Sequence, residues 1–178
     1  MIISVDEARQ LVNGLDEWTD AKIEMKLKAI EQTIRAYTNN NFQARGFRVN
    51  ASIENGVLMS DTLIPFAVDD TVQISGSQYN NGLYTVSEAN EKTFKVGETA
   101  LKNERDVLVT KIDYPFDVID CCVNLLEWEK AHREKVGIQS ETLSRHSVTY
   151  FNQDTGNQVM GYPASLLGCL KAYRKVRC

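Results

Sequence analysis

The spacing of hydrophobic residues changes twice along this chain of 178 residues, and the changes divide it into three parts. Residues 1–41 place hydrophobic positions three or four apart, which is the spacing of amphipathic helices. Residues 42–112 alternate hydrophobic and polar positions, as strands do, and helical spacing returns over residues 113–178. The pattern predicts an α+β fold: a discontinuous bundle of about four α-helices, residues 1–41 with 113–178, with an inserted small antiparallel β-barrel, residues 42–112.

The two helices of the first part carry clear start signals. Ser4 and Glu7 form the capping box of a helix over Val5–Val12, because each side chain can bond to the other residue's backbone N–H. Thr19 caps a second helix over Asp20–Thr38. Its hydrophobic stripe has spacings of four and three and consists of Ile23, Leu27, Ile30, Ile34 and Tyr37.

The third part predicts two more helices. The longer one runs over Pro115–Val136, beginning at a proline suited to a first helical turn and ending before Gly137. Its first half is apolar over a wide arc, so we expect it to be covered from more than one side. Its charged second half, residues 127–135, is expected to face solvent or a partner. The last helix begins at Tyr162-Pro163 and ends near Lys175; its apolar face is Leu166, Cys169, Leu170, Tyr173 and Val176.

The middle part predicts five or six short strands. Residues 47–53 alternate hydrophobic and polar side chains, and Asn55-Gly56 after them is typical of a type I′ hairpin turn. Regularly spaced turns and short strands favour a closed barrel, because closure removes exposed edges. The further strands are predicted at Val57–Met59, Thr71–Ser75, Gly82–Ser87, Thr93–Val96 and Val107–Ile112.

Charge is distributed unevenly along the chain. The net charge of −4 argues against an indiscriminate nucleic-acid binder. The end of the chain is basic, so the residues before position 171 sum to −8. Such an end either meets an acidic partner or complements the dipole of the last helix. The four cations concerned are Lys171, Arg174, Lys175 and Arg177.

The chain contains histidines, cysteines and aspartates, but they form no sequence motif of a catalytic, metal or cofactor site. No phosphate-binding glycine loop and no metal-ligand spacing occurs. Four cysteines without a CxxC motif predict reduced thiols that fill core space in a cytosolic setting. The opening residues lack a signal-peptide pattern, and no run approaches a membrane span. The candidates weighed and judged structural are His132, His146, Cys121, Cys122, Asp69 and Asp70.

The order of three segments resembles the head–tail connector, or head-completion, proteins of long-tailed bacteriophages. The segments are residues 5–42, the stretch 117–151, and the ending GYPASLLGCLKAYRKVRC. In that family a helical bundle precedes a Gly-Ile-x-Ser-Glu loop with a later Ser-Val-x-Tyr, and Tyr-Pro then opens a C-terminal helix that ends in a Tyr-Arg-rich tail. The matching residues are Gly137, Ile138, Ser140, Glu141, Ser147, Val148, Tyr150, Tyr162, Pro163, Tyr173 and Arg174.

The middle part looks like a small barrel of other phage structural proteins, and short members of the connector family lack it. Its Gly-Ser-x-x-Asn-x-Gly-x-Tyr-x-Val core is Gly76, Ser77, Asn80, Gly82, Tyr84 and Val86.

The resemblance implies a structural virion protein rather than an enzyme. Members form a ring, commonly of twelve copies, beneath the portal protein, and duplex DNA passes through it without sequence recognition. Further partners are neighbouring copies and the next neck protein toward the tail, and the protein is made in the host bacterial cytoplasm. No membrane or cofactor is implied. The resemblance assigns portal binding to Lys171, Tyr173, Arg174, Lys175 and Arg177. The expected channel or subunit-seam loop holds Ser140, Glu141, Ser147, Val148, Thr149 and Tyr150.

Two other functional classes stay open at this point. A nucleic-acid-binding regulator of phage or prophage origin would use the second and third helices as a helix-turn-helix. About seventy residues separate those helices, whereas the turn in such motifs is short. A small hydrolase on the barrel would need a nucleophile and a base, and no such pair is visible in the sequence.

Overall fold

The computed structural model describes residues 1–97, 100–132, 140–143, 146–149 and 158–176, with only the backbone described between 140 and 149. The chain divides into two compact units. The first, called here the helical unit, combines Met1–Asn40 with Pro115–Cys178. The second, called the barrel unit, is Asn41–Tyr114.

The barrel unit is a closed antiparallel barrel of six strands, in the order β1-β2-β5-β4-β3-β6. The type I′ signal at Asn55-Gly56 is confirmed, because both residues have positive φ angles, 51° and 78°, in the β1–β2 turn. The strands are β1 Gln43–Glu54, β2 Val57–Ser60, β3 Thr71–Ser75, β4 Gly82–Ala89, β5 Thr93–Val96 and β6 Glu104–Ile112.

The longest strand, β1, is paired unevenly. It pairs with β2 only through Ala51–Glu54, whereas its pairing with β6 begins at Gln43. Between Gln43 and Arg48 the register shifts, so that five steps along β1 correspond to two along β6. Extra residues of this kind form a bulge, which bends a strand and increases its twist.

The core of the barrel follows from the alternation of its strands. Side chains of alternate residues point inward, and the wall has no open end strand. Phe66 and Phe94 meet edge to face, with ring centroids 5.3 Å apart. The buried residues are Val49, Ala51, Ile53, Leu58, Phe66, Val72, Ile74, Val86, Phe94, Val96, Leu101, Val107 and Val109.

The described part of the helical unit contains three α-helices, a 3-10 turn at Leu15–Glu17 and a C-terminal 3-10 segment. The capping box is confirmed: the Ser4 hydroxyl accepts from the Glu7 N–H, and the Glu7 carboxylate accepts from the Ser4 N–H at 2.7 Å. No helix among the described residues is long and apolar enough to span a membrane. The helices are α1 Val5–Leu11, α2 Asp20–Thr38 and α3 Phe116–His132.

The wide apolar arc of α3 is covered from two sides, as predicted. Helix α2 packs against it, and so does the C-terminal 3-10 segment, Gly168–Tyr173. Burial of side chains on more than one face requires such double coverage. The buried apolar residues of α3 are Val118, Cys121, Cys122, Leu125 and Leu126.

The predicted last helix is wrong. Tyr162–Pro163 forms strand β10, which pairs with β9, Gln158–Val159. The following residues make i to i−3 hydrogen bonds, such as Leu170 N–H to the Leu167 carbonyl at 3.2 Å. A 3-10 segment repeats every three residues, so its apolar spacing resembles that of a helix in sequence. Leu167 and Leu170 are buried, whereas Cys169 and Val176 of the predicted apolar face are exposed.

The predicted fold class is also wrong. The fold is mixed α and β, and its main element is the closed six-stranded barrel rather than a helical bundle carrying an insertion. Helical spacing overestimated the bundle, because the C-terminal segment is 3-10 and α1 has only 7 residues. Two further strands, β7 Ser140–Leu143 and β8 His146–Thr149, also lie where the sequence predicted mostly loop.

Candidate functional site

A basic groove lies at the C-terminal end of α2 and has a volume of about 760 Å³. Three cationic side chains line it, and none of the described residues lining it carries a carboxylate. Exposed cations in a groove without a counter-charge favour an anionic partner. The lining residues are Ala36, Tyr37, Asn39, Lys171, Arg174, Lys175 and Val176.

Hydrogen bonds fasten the end of the chain to the end of α2. Helix α2 ends at Thr38, and the left-handed φ of 47° at Asn39 turns the chain away. The Lys175 N–H then donates to the Thr38 carbonyl at 2.8 Å. The Asn40 amide donates to the Tyr173 carbonyl at 3.2 Å. Carbonyls in the last turn of a helix have no partner within the helix, so the returning segment satisfies one of them.

The electrostatics of the groove match the helix end as well as a partner. The C-terminus of a helix carries partial negative charge, which favours nearby cations. The Arg174 guanidinium lies over the Tyr37 ring at 5.2 Å from its centroid, which holds that cation at the groove wall. Both sequence-based explanations of the basic end, the dipole and the partner, are therefore compatible with this geometry.

Tyr173 does not line the groove, although the sequence assigned it to the same site. Its hydroxyl donates to the Asp117 carboxylate of α3 at 3.0 Å. This bond raises the pKa of the Tyr173 hydroxyl, because loss of the proton would place a phenolate beside a carboxylate. Tyr173 therefore positions the segment that carries Lys171 and Arg174. Arg177 lies outside the described residues.

The predicted channel or seam loop contains a two-stranded hairpin. Strand β7 pairs with β8 in antiparallel register, with Ser140 opposite Thr149 and Glu141 opposite Val148. Ser147 lies opposite Thr142 in the same register. Tyr150 lies outside the described residues. The role of these residues at a channel or a subunit seam stays a prediction.

Two polar residues that the sequence analysis weighed for chemistry hold local structure. Asp70 accepts the Ala67 N–H at 2.8 Å and forms an ion pair with Lys111 at 2.7 Å. His132 is exposed, and its ring stacks on that of Trp128. Across the described residues, no three of His, Cys, Asp and Glu are grouped as metal ligands would be.

The two adjacent cysteines of α3 are both fully buried. Burial is the main cause that raises the pKa of the Cys122 thiol to about 12, and the nearby Glu31 carboxylate adds to it. A thiol is nucleophilic only as its thiolate, so Cys122 is unreactive at neutral pH.

The Gly-Ser-x-x-Asn motif of the barrel builds a loop rather than an open site. The Ser77 hydroxyl accepts the Asn80 N–H at 2.6 Å and donates to the Glu104 carboxylate. The Asn80 side chain donates to the Lys102 carbonyl at 3.0 Å, and the Asn80 backbone carbonyl accepts the Tyr84 hydroxyl at 3.0 Å. The motif therefore joins the β3–β4 connection to the start of β6.

Glu104 receives most of its hydrogen bonds from this loop. The bond from Ser77 is the largest cause that lowers the pKa of the Glu104 carboxyl, and the bond from the Gln78 N–H adds to it.

One polar cluster in the helical unit was not predicted. Glu129 lies in the part of α3 expected to face solvent, yet only 2% of it is exposed. Its carboxylate accepts from the Lys26 ammonium at 2.7 Å and from the Tyr162 hydroxyl at 2.8 Å. The spacing of α3 alone could not indicate this, since both partners lie more than thirty residues away in sequence.

The α2 side of the basic groove was also missed. The sequence indicated the cations of the C-terminal segment, but not Tyr37 and Asn39, which precede them by over 130 positions. The run Asn39-Asn40-Asn41 signalled the end of α2 without showing what would bond to it.

No protein-family model and no curated protein sequence matches this chain. The resemblance to phage connectors therefore depends on the motifs and their order.

Proposed function

We propose that this protein is a structural head–tail connector of a long-tailed bacteriophage. In this proposal, copies of the chain form a ring beneath the portal protein and link the capsid to the tail. Duplex DNA passes through the ring without sequence recognition, and the next neck protein binds on the tail side. The protein works in the virion, and its role is assembly rather than catalysis.

The observation that carries the proposal is the basic groove at the end of α2. The resemblance assigns portal binding to the C-terminal segment on sequence grounds. Three cations of that segment, Lys171, Arg174 and Lys175, line one groove. Hydrogen bonds to Thr38, Asn39 and Asn40 hold the segment that carries them in place. A preformed cationic groove suits the acidic surface of a partner, because little ordering is needed on binding.

The charge of the remaining chain supports the conduit role. Outside the basic end the sequence sums to −8. Close approach of such a surface to DNA is opposed by the phosphate charges, so the duplex would slide rather than be gripped. A closed ring also needs two different, complementary faces on each copy, and this asymmetric chain can supply them.

Portal binding by a charge-reversed variant tests the proposal. We would replace Lys171, Arg174 and Lys175 by Glu and measure assembly with purified portal rings by mass photometry and electron microscopy. We expect the wild-type chain to decorate the portal. The variant should bind at least about tenfold more weakly, the equivalent of about 1.4 kcal/mol.

A matched control reverses three exposed cations elsewhere, Lys28, Arg45 and Lys92. It has the same net charge as the groove variant, so normal portal binding by the control would assign the loss to the groove. Equal binding by wild type and groove variant would overturn the assignment. Failure of the wild-type chain to bind portal, together with DNA affinity that falls steeply with salt, would favour the nucleic-acid-binding regulator instead.

A further inference from the structure

Two cysteine thiols of the helical unit meet at one backbone oxygen. The Cys121 sulfur of α3 lies 3.3 Å from the Leu166 carbonyl oxygen. The Cys169 sulfur of the 3-10 segment lies 3.7 Å from the same atom. One backbone oxygen thus lies within hydrogen-bond distance of a sulfur from each segment. Both are free, and they differ in access: Cys121 is buried and Cys169 is exposed.

A second contact aligns the same two segments. The Tyr173 hydroxyl bonds to Asp117, and each of these residues is four positions from a cysteine of the pair. On α3, residues 117 and 121 share one face, because residues four apart lie one above the other. The 3-10 segment is thus held along α3 at two points, and the cysteines are juxtaposed by packing on both sides.

We propose that Cys121 and Cys169 form an intramolecular disulfide when the protein meets an oxidising small-molecule disulfide such as oxidised glutathione. The Cys169 thiolate attacks one glutathione sulfur, which breaks the glutathione S–S bond, forms a mixed disulfide and releases one glutathione thiolate. The Cys121 thiolate then attacks the Cys169 sulfur and releases the second glutathione. Two protein thiols are oxidised, one glutathione disulfide is reduced to two thiols, and two protons leave the protein thiols.

The two steps differ in rate for a structural reason. Cys169 is exposed and reacts first. Cys121 reacts second, and burial raises the pKa of its thiol, with the neighbouring Cys169 adding to the shift. Only the thiolate attacks, so the closing step is slow at neutral pH and accelerates as pH rises. The mixed disulfide on Cys169 should therefore accumulate briefly before the internal bond forms.

The bond would fix the groove-bearing segment to α3 covalently. Cys169 lies two residues before Lys171, and the cations continue to Lys175. Reducing cytosol keeps thiols free, whereas particles released by lysis meet an oxidising medium. The segment could then adjust during assembly and become locked afterwards. This consequence for portal binding rests on the proposed function; the disulfide itself does not.

The test uses the full chain with Cys178→Ser, which removes a competing thiol outside the described residues. Samples are incubated with oxidised glutathione, free thiols are titrated under denaturing conditions, and the linked peptides are identified by mass spectrometry. Of the three remaining thiols, we expect two to disappear and to return with dithiothreitol. Fragmentation between Cys121 and Cys122 distinguishes which of these neighbours carries the link to Cys169.

Cys169→Ser in the same background is the control. It keeps an exposed polar side chain, so the fold should persist while internal thiol loss disappears. Three unchanged thiols, a stable mixed disulfide on Cys169 at pH 9, a link to Cys122, or covalent dimers would each overturn the proposal. Portal binding is measured separately on the oxidised and reduced protein. An internal disulfide without any portal binding would leave this inference standing and refute the proposed function.

Discussion

The two units of this protein close their cores in different ways. In the barrel unit three of the six strand pairs, β1–β2, β3–β4 and β4–β5, join strands that are consecutive in sequence, and β1 with β6 completes the ring. In the helical unit the deciding contacts join distant parts of the chain: Lys26 meets Glu129 and Asn40 meets Tyr173. The barrel thus depends on a continuous ladder, whereas the helical unit depends on the return of residues 115–176 to the first forty.

The polar clusters of the two units also differ, because water reaches one of them and not the other. Glu104 of the barrel is only partly buried, so water can replace a hydrogen bond that its carboxylate loses. Glu129 of the helical unit is buried, so removal of its partners leaves a charge without solvent. The cost of an unpaired group depends on whether water can reach it. Substitutions at matched positions therefore separate the two modes of stabilisation.

The largest effect is expected from Phe94→Ala in the barrel core. Phe94 is 1% exposed and packs edge to face on Phe66. Truncation should lower the free energy of unfolding by about 3–5 kcal/mol, because it removes buried area and leaves a cavity. Urea unfolding followed by far-UV circular dichroism measures the loss.

Phe116→Ala is the control for this truncation. The Phe116 side chain is 87% exposed. We therefore expect its free energy of unfolding to change by no more than about 0.5 kcal/mol, as is usual for surface substitutions. Similar losses in both variants would contradict the assignment of Phe94 to a closed core.

The next effect is expected from Glu129→Ala. Removal of the carboxylate leaves the Lys26 ammonium and the Tyr162 hydroxyl without their acceptor. Breaking a buried charge pair from one side is costly, and we expect a loss of about 3 kcal/mol. Thermal unfolding by calorimetry measures the change in the helical unit.

Glu24→Ala removes a matched pair on the surface of α2, where the Glu24 carboxylate lies 2.6 Å from the Lys28 ammonium. Exposed pairs of this kind contribute about 0.3–0.5 kcal/mol. If the two Glu variants lost the same stability, burial would not be what distinguishes the Glu129 cluster.

The smallest effect is expected from Ser77→Ala in the barrel loop. Two backbone N–H groups, of Tyr79 and Asn80, lose their acceptor. The loss of an acceptor should cost about 1–3 kcal/mol for a buried N–H such as that of Asn80, and less at Tyr79, which is exposed. Ser87→Ala, at an exposed position of β4, should change the free energy of unfolding far less. Urea unfolding of both variants provides the comparison.

The same variant has an effect on the acid side of the pH range. The folded-state pKa of Glu104 lies below its ordinary 4.5, so its stabilising contribution is present above pH 4.5 and is lost as pH falls through the folded-state value. Ser77→Ala removes the largest cause of that shift. Carbon NMR titration of the Glu104 carboxyl should therefore give a higher pKa in the variant, and an unchanged pKa would contradict the described hydrogen bond.

Elements with a complete local signal were predictable from the sequence. Ser4 and Thr19 start their helices as predicted, and strand Thr71–Ser75 has the predicted bounds. Each signal lies within a few residues of the structure it determines, so the physics that fixes the element is readable locally.

Features set by distant contacts were not predictable. Glu129 is buried because Lys26 and Tyr162 reach it, and a helical pattern does not show which polar residue gains such partners. The 3-10 segment was predicted as a helix because Leu170 and Tyr173 of the predicted apolar face repeat at a spacing common to both. Whether the barrel or the helices form the main element of the fold is likewise decided by packing, which the periodicity of the sequence does not show. For the basic groove, the composition of the C-terminal segment indicated the cations, but nothing in the sequence indicated that the end of α2 forms the other side of the groove.

The bulge in β1 has a consequence for solutions in which many copies are crowded together. Among the described residues, Gln43 and Arg48–Asn50 pair with β6 but not with β2, and backbone paired on one side only is where a foreign strand could add. Irregular backbone and positive charge both oppose such pairing. The bulge supplies the first, and the exposed Arg45 and Arg48 supply the second. The singly paired part of β1 thus contains the two features that protect it against aggregation.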